Sequence, residues 1–351
     1  MTTVAYQKSL EDRLLEQAAG PLGYRAITDG LRIGACGDAD FLRRRFLAHF
    51  DAGTLADVPD DRVAVVTGFG PTNAPTLGTL SAMLATCELQ RRSRLHTTIV
   101  VSDLGAWNSR NLRWQHLEEH RDRMLAFLEA IGFDTQRGVL RTHQDEANLI
   151  LSGRIARFLT EQDFLANREV LDDLYRDLGV RGPQLGVMVD GLYTIADIVG
   201  PLAAGRERVV MLAGIEEHYF TELSRLLLAR CDEDIPGELF ASGSRVAALF
   251  LRVVPGLGGH DKMSKSIPAS AVRLSEPAAD IRCKIVDTGA TDDGVVLRMM
   301  ELASTWEPGQ LAEVRHRFDA RTRDRRPWLA AKREYAEHVI GFAETWGDVT
   351  R

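Results

Sequence analysis

Two lysines on a glycine-rich approach are the strongest chemical feature of this sequence. The segment Lys262-Met263-Ser264-Lys265-Ser266 follows residues 255–259 (PGLGG), and it holds two of only five lysines in a chain of 351 residues. Two ammonium groups three residues apart on a movable loop can both reach a polyphosphate and neutralise the charge that develops as pyrophosphate leaves. The alternative interpretation is a solvated surface turn, and the scarcity of lysine argues against it.

A second candidate site is the loop between Gly68 and Thr79 (GFGPTNAPTLGT). It joins a short β-branched run at 62–67 to a helical pattern at 77–91. Glycine lets the backbone approach a ligand closely, and the following helix offers free N–H groups to phosphate. The loop fits neither the P-loop pattern nor the dinucleotide fingerprint, so a tight strand–helix turn is equally open at this point.

The composition predicts a soluble globular protein. Hydrophobic residues make up 45% of the chain and charged residues 26%, no run of eighteen apolar residues occurs, and the four cysteines are scattered. These features predict a cytoplasmic protein without a membrane span or a disulfide framework. The net charge of −7 argues against a protein that coats nucleic acid generally, although a local basic surface remains open.

Short apolar strands alternate with longer helical stretches along the middle of the chain. Strands are predicted at 62–67, 97–101, 139–142 and 209–212, with helices at 77–91, 145–178, 184–201 and 216–230. This alternation predicts an α/β fold with a doubly wound parallel sheet, whose ligands bind beyond the carboxyl ends of the strands. Three parts are predicted: an N-terminal extension (1–60) with an amphipathic stretch at 40–50, a main domain with a helical insertion (61–285), and a short C-terminal helical domain (286–351).

The lysine segment and the glycine-rich loop together resemble a known family. Residues 262–266 are identical to the KMSKS signature of class I aminoacyl-tRNA synthetases, and residues 71–72 with 76–79 resemble their HIGH signature. Further similarities to the tryptophan and tyrosine branch are residues 102–107 (SDLGAW), 196–198 (ADI) and 214–218 (GIEEH). The resemblance implies a Rossmann-like catalytic domain with a C-terminal helical domain.

The resemblance also implies a reaction and its participants. It implies an enzyme that uses ATP and Mg²⁺ to activate an amino acid as its adenylate and then transfers it to tRNA, working as a homodimer. The catalytic residues that it implies are Lys262, Lys265, Thr76 and Thr79. The ATP-binding residues that it implies are Gly68, Gly70, Pro71, Thr72, Gly78, Met263, Ser264 and Ser266. No metal-ligating set of side chains is predicted.

For the amino acid, the resemblance implies contacts from Val66, Asp190, Thr194, Asp197 and Glu217. Asp197 matches the carboxylate that accepts a hydrogen bond from an indole N–H or a phenol O–H, which favours tryptophan, with tyrosine second. Asp190 and Glu217 replace a tyrosine and a glutamine of the family. Two added carboxylates would bind an ammonium more strongly or accept a second cationic group.

Arginines in the C-terminal part are candidates for tRNA binding. By resemblance these are Arg321, Arg323, Arg325 and Arg326, because such a cluster suits phosphate contacts. An exposed helix whose arginines pair with Asp319, Asp324 and Glu334 is equally open.

The sequence leaves two other functions open, and one other motif resembles a zinc site. The first alternative is a paralogue that adenylates an unusual amino acid and transfers it to an acceptor other than tRNA. The second is a catalytically silent RNA-binding or sensor module, suggested by Thr76 and Thr79 in place of the HIGH histidines. His116 and His120 match the H-x-x-E-H zinc pattern, but the strongly charged surroundings favour a solvated helix face.

Overall fold

The computed structural model describes residues 23–110, 112–165, 185–263, 267–289 and 292–349, together with Arg13, Leu15, Glu16 and Ala19. The strands are β1 (Arg25–Ala26), β2 (Phe46–Phe50), β3 (Val63–Phe69), β4 (His96–Val101), β5 (Gly138–Thr142), β6 (Arg208–Ala213) and β7 (Arg245–Leu251). The helices are α1 (Ala39–Arg45), α2 (Leu77–Ser93), α3 (Asp103–Ser109), α4 (Trp114–Ala130), α5 (Glu146–Ile155), α6 (Glu161–Leu165), α7 (Leu185–Ala203), α8 (His218–Asp234), α9 (Ala278–Val286), α10 (Asp293–Leu302), α11 (Pro308–Asp319) and α12 (Arg326–Asp348). The predictions for Ser264, Lys265 and Ser266, and for the helix at 166–178, lie outside the described residues.

The seven strands form one sheet in the order β1-β2-β7-β6-β3-β4-β5. Strands β3 to β7 run parallel, whereas β2 pairs antiparallel with β7 and β1 antiparallel with β2. From β3 the chain proceeds outward through β4 and β5, then crosses to β6 and β7 on the other side of β3. The predicted doubly wound α/β fold is confirmed, and its order reverses between β3 and β6, which is where such sheets bind ligands.

Strand β3 and helix α2 form as the sequence predicts. Burial of nearly all of β3 explains its β-branched composition, and Thr67 Oγ1 donates to Leu212 O at 2.8 Å, joining β3 to β6. Helix α2 begins after Thr76 because the Thr76 Oγ1 atom accepts a hydrogen bond from Thr79 N–H at 3.3 Å. The Leu77 N–H donates to Val272 O at 3.0 Å, which ties the start of α2 to the segment that follows the lysine loop.

Two local expectations differ from the structure. The stretch 40–50 is not one amphipathic element, because helix α1 ends at Arg45 and the chain continues as strand β2. Arg45 is buried between Glu88, at 2.8 Å, and Ser304 O, at 3.1 Å, so the charged end of α1 is anchored while β2 pairs with β7. The sequence after the strand at 97–101 predicts a loop at 103–111, whereas residues 103–109 form helix α3, in which Ser109 Oγ donates to Gly105 O at 2.7 Å.

Helices α9 to α12 pack against α2 and α4 in one hydrophobic core. Trp328 and Trp346 of α12 are fully buried. The Trp346 ring meets Phe127 of α4 edge to face, with ring centroids 5.4 Å apart. The predicted C-terminal helices therefore adjoin the sheet domain through an extensive apolar contact.

Helix α7 is long and apolar enough to cross a membrane by length and composition alone. Its residues 195–199 are buried in the protein core, and they include Asp197. A core helix of a soluble protein meets the same criterion, so this feature is weak evidence for a membrane span.

Candidate adenylation site

A cavity of about 460 Å³ opens at the carboxyl ends of β3 and β6, at the reversal point of the sheet. Most residues that the resemblance implicates line this one cavity. They are Val66, Gly68, Gly70, Thr72, Thr76, Gly78, Thr79, Asp190, Thr194, Asp197, Glu217, Lys262 and Met263. Pro71 is buried next to the cavity without lining it.

The glycine-rich loop forms the wall beside helix α2. Thr72 N–H donates to Gly70 O at 2.9 Å, and His116 Nε2–H donates to Thr72 O at 2.8 Å, so α4 holds the loop in place. The Thr76 and Thr79 hydroxyl oxygens lie 3.4 Å apart at the start of α2 and can offer a donor to a phosphate there. Glycine backbone, two hydroxyls and a helix N-terminus together fit the polyphosphate of a nucleotide.

Both histidines of the H-x-x-E-H motif make hydrogen bonds to backbone carbonyl oxygens. His116 uses Nε2 on Thr72 O, and His120 Nδ1–H donates to His116 O at 2.9 Å. In the described part of the chain, no three His, Cys, Asp or Glu side chains are arranged to hold an ion. A Mg²⁺ ion that accompanies a nucleotide is usually held by phosphate oxygens and water with few protein ligands, which suits this site.

Lys262 reaches the cavity from the opposite side. Its Nζ lies 3.7 Å from Glu216 Oε1, and its side chain is 47% exposed. The approach to it bends at Gly258 and Gly259, whose φ angles of +68° and +79° favour glycine. Gly258 N–H donates to Asp292 Oδ2 at 3.2 Å, so the approach is tied to the residue that precedes α10.

Asp197, which lines the cavity, has a basic neighbour at each carboxylate oxygen, but only Oδ2 accepts a hydrogen bond from the described residues. Arg141 lies 2.7 Å from Oδ1, and His143 Nε2 lies 2.8 Å from Oδ2. Gly105 N–H donates to His143 Nδ1 at 3.0 Å, so the ring proton is on Nε2 and is donated to Asp197. Burial opposes a charge on His143, but the adjacent Asp197 carboxylate outweighs this effect and raises the histidine pKa.

Asp190 lies one helical turn before Thr194, on the wall that α7 presents to α3. Thr194 Oγ1 donates to Asp190 O at 3.0 Å. A Cβ atom on Gly105 would lie 2.1 Å from Asp190 Oδ1, so only glycine permits this approach of the two helices. Burial raises the pKa of Asp190, and the charge of Asp197 adds to the rise, against the opposing effects of Ser109, His143 and Arg110.

Glu217 lies just beyond β6, where its Oε2 atom accepts a hydrogen bond from Gly214 N–H at 3.1 Å. Burial, followed by the charge of Glu216, raises its pKa to about 7. Lys262 and the Gly214 N–H oppose this rise, and Asp190 adds to it. Glu217 therefore changes charge near neutral pH.

We expect Glu217 to make stability fall as pH rises. A raised pKa means that the folded protein holds a proton that the unfolded chain releases, so the penalty begins near the unfolded value and is complete above about pH 7. Glu217→Gln should remove about 1–3 kcal/mol of this decrease in the free energy of unfolding between pH 5 and pH 8, measured by urea denaturation. Equal pH dependence in both proteins would show that Glu217 does not titrate in this range.

The four arginines predicted to bind tRNA differ in their surroundings. Arg321 lies over the Phe318 ring, 3.5 Å from its centroid, and 3.9 Å from Asp293. Arg325 lies 3.5 Å from Asp293, and Arg326 pairs with Asp324 at 2.8 Å. Arg323 is exposed. Three of the four are thus engaged with acidic partners of the chain itself.

Sequence reasoning missed the residues that hold Asp197. Arg141 and His143 lie at and just after the end of β5, and His143 N–H donates to Asp103 Oδ1 at 3.2 Å. Their position at the carboxyl end of a parallel strand is the signal that could have identified them. Asp197, the partner that they share, lies more than fifty residues away, which no local pattern reveals.

The fold and this cleft define an α/β protein with a candidate ligand site at the reversal point of its sheet. Among solved structures, a tryptophanyl-tRNA synthetase from Encephalitozoon cuniculi bound to tryptophan is similar with 14% identity and a TM-score of 0.70, covering 96% of this chain and 95% of that chain. A tryptophanyl-tRNA synthetase homolog from Entamoeba histolytica has 14% identity and a TM-score of 0.71, covering 99% and 94%. A tyrosyl-tRNA synthetase from Archaeoglobus fulgidus complexed with L-tyrosine has 16% identity and a TM-score of 0.62, covering 91% and 96%.

No protein-family model and no curated protein sequence matches the chain. The structural likeness nevertheless extends over nearly the whole length of each protein. The chain therefore has the fold of the tryptophanyl- and tyrosyl-tRNA synthetases, and the resemblance that the sequence motifs indicated is confirmed for the fold.

Proposed function

We propose that this protein activates an amino acid with ATP to form an aminoacyl-adenylate. The observation that carries the proposal is that one cavity is lined by the glycine-rich loop, the start of α2, Lys262 and the carboxylates of α7. A nucleotide phosphate fits the first three, and an amino acid ammonium fits the last.

The chemistry needs positioning and charge neutralisation rather than a general base. A carboxylate oxygen of the amino acid attacks the α-phosphorus of ATP in line, the bond from that phosphorus to the bridging β-phosphate oxygen breaks, and pyrophosphate leaves. The amino acid carboxylate is already ionised at neutral pH, so no proton has to be removed. Lys262 and Lys265 would neutralise the leaving pyrophosphate, and Mg²⁺ bound to ATP would add positive charge on the phosphates.

The sequence resemblance favours tryptophan as the amino acid, with tyrosine second. Two of the similar structures hold tryptophan and L-tyrosine, respectively. In this chain Val66, Thr194 and Asp197 line the cavity. Asp197 is the residue that would accept a hydrogen bond from the indole or the phenol, because its buried Oδ1 atom lies 2.7 Å from Arg141 but accepts no hydrogen bond from the described residues.

The acceptor that we propose is tRNA, bound in part by Arg321, Arg323, Arg325 and Arg326. One observation favours the second candidate, an acceptor other than tRNA: Arg321, Arg325 and Arg326 are already engaged with Asp293 or Asp324. Binding of tRNA phosphate would have to replace these partners. Filter binding of total tRNA at low salt separates the two candidates. If the acceptor is not an RNA, the protein should not retain tRNA on the filter.

A cytoplasmic homodimer is part of the same proposal. The resemblance implies the dimer, and exposed large hydrophobic side chains are available for one, including Trp107 and Leu185 at the contact of α3 with α7. Sedimentation velocity of the full chain measures the oligomeric state directly.

The test of the proposed activity is amino-acid-dependent exchange of labelled pyrophosphate into ATP. Exchange with at least one amino acid would establish adenylation. Tight ATP binding without exchange for any amino acid would contradict it and would favour the silent binding module.

A further inference from the structure

One oxygen of the Asp197 carboxylate has no hydrogen-bond donor, although the side chain is buried at the cavity. Asp197 is 6% exposed and lines the cavity, and its Oδ1 atom accepts no hydrogen bond from the described residues. Arg141 lies 2.7 Å from Oδ1, so it balances the charge of the carboxylate without supplying such a bond. Because a buried acceptor without a donor is costly, this oxygen favours a ligand that brings an uncharged N–H or O–H group.

The other oxygen of Asp197 is held by His143. The ring of His143 is completely buried, and its Nε2–H donates to Asp197 Oδ2 at 2.8 Å. A second residue that fixes a binding group in this way improves the precision of a site, because the group no longer turns between several orientations. With Oδ2 engaged, the donor that a ligand brings is directed to Oδ1.

His143 is itself fixed by two hydrogen bonds. Its Nδ1 atom accepts from Gly105 N–H at 3.0 Å, and its backbone N–H donates to Asp103 Oδ1 at 3.2 Å. Gln144 Nε2 donates to the other oxygen of Asp103 at 2.6 Å. A Cβ atom on Gly105 would lie 2.8 Å from Cε1 of the His143 ring, so glycine permits this close contact. The imidazole is thus held between the end of β5, α3 and α7, with its Nε2–H directed at Asp197.

We propose that His143 is a positioning residue for substrate recognition, which orients Asp197 so that Oδ1 accepts a hydrogen bond from an uncharged donor on the side chain of the amino acid. This inference rests on the proposed amino-acid activation, and it concerns how the same site selects its substrate. An indole N–H and a phenol O–H are donors of this kind. Discrimination against a side chain that lacks the donor then depends on the Nε2–H group of His143.

Binding of near-isosteric pairs of amino acids to the full-length protein measures this discrimination. Calorimetry would compare tryptophan with 3-(benzothiophen-3-yl)alanine, in which sulfur replaces the indole N–H, and tyrosine with phenylalanine. The discrimination ratio is the dissociation constant of the analogue without the donor divided by that of the amino acid with it. We expect a ratio of about 10 to 100 for at least one pair, as for hydrogen bonds to charged groups.

Two substitutions of His143 separate positioning from packing. The amide NH₂ of glutamine can replace Nε2–H toward Asp197, whereas the amide oxygen of asparagine can replace Nδ1 as the acceptor for Gly105 N–H. His143→Asn should lower the discrimination ratio by about 10-fold while changing binding of the analogue without the donor little. His143→Gln should retain most of the ratio. A merely structural role predicts that both members of a pair bind more weakly by the same factor.

A second histidine and the wild-type protein supply the controls. His338→Asn should leave the ratio unchanged, because His338 lies on α12, accepts from Thr305 N–H and does not line the cavity. If neither His143 variant folds, the ¹⁵N NMR spectrum of the wild-type protein with bound amino acid decides. A His143 proton on Nε2 would support the inference, and a proton on Nδ1 alone would overturn it.

The outcomes separate this inference from the proposed activity. Exchange with at least one amino acid, together with equal binding of both members of each pair or with a ratio unchanged in His143→Asn, would overturn the inference while the activity stands. A ratio that is lost in His143→Asn and retained in His143→Gln, without exchange, would support the inference while the activity fails. Absence of binding by both tryptophan and tyrosine would overturn the inference.

Discussion

Replacement of Lys262 by alanine should lower the rate of amino-acid-dependent pyrophosphate exchange by about 10²- to 10³-fold, the usual loss when one group that stabilises transition-state charge is removed. Lys262 lines the cavity opposite the glycine-rich loop, and its ammonium has only Glu216, at 3.7 Å, as an ionic partner among the described residues. Because the side chain is 47% exposed, the fold should not depend on it. Stopped-flow measurement of adenylate formation would place the loss in the chemical step.

Two control variants test whether the effect depends on the positive charge of Lys262 and on its position at the cavity. Lys262→Arg keeps the positive charge and should lose less activity than the alanine variant. Arg317→Ala removes a partly buried cation of α11 that does not line the cavity, and it should leave the exchange rate unchanged. A Lys262→Ala protein with a wild-type rate would remove the lysine from the proposed mechanism. The sequence predicts the same loss for Lys265→Ala.

The second large effect concerns stability, at the buried pair Asp293 and Lys332. Lys332 is completely buried, with Nζ 2.6 Å from Thr288 Oγ1 and 3.3 Å from Asp293 Oδ1. Burial lowers the pKa of Lys332, whereas Asp293 opposes that shift. Asp293→Ala would leave this ammonium buried without a counter-charge, so we expect a loss of about 3–5 kcal/mol in the free energy of unfolding.

Chemical denaturation of three variants checks the origin of that loss. The double variant Asp293→Ala, Lys332→Met should be more stable than Asp293→Ala alone, because it removes the stranded charge as well as its partner. Asp324→Ala removes an exposed carboxylate that pairs with Arg326, and it should change stability far less than Asp293→Ala does. Equal losses in the double variant and in Asp293→Ala would contradict a charge-pairing origin.

Local sequence patterns predicted the elements that carry the proposed nucleotide site. The β-branched run before Gly68 and the helical spacing after Thr76 correspond to β3 and α2 with shifts of at most two residues at each end. The resemblance brought Asp190 and Glu217 to the same cavity in advance. The strand and the helix were predictable because each depends on neighbours within a few positions along the chain, whereas Asp190 and Glu217 were predicted only by the resemblance.

The sequence did not predict the features that depend on distant partners. Helix α3 lies in a stretch containing glycine and asparagine, and it is held by the contact of Gly105 with His143 and Asp190. Strand β2 has the composition of a continued helix, but the pairing with β7, two hundred residues later, makes it a strand. The pairing of Asp197 with Arg141 and His143 likewise joins α7 to β5. Tertiary contacts overrode local preference in each case.

The C-terminal helices and the sheet domain share one hydrophobic core, which determines how the protein unfolds locally. Trp346 packs on Phe127, and the apolar cluster runs without interruption from α2 and α4 to α12. Detaching α12 would expose to water the faces of α4 and α9 that pack against it, so opening there removes apolar contacts of the shared cluster. Amide hydrogens of α9 and α12 should therefore exchange with solvent through the same opening event. A protease cut between the two parts would leave them associated as one noncovalent body.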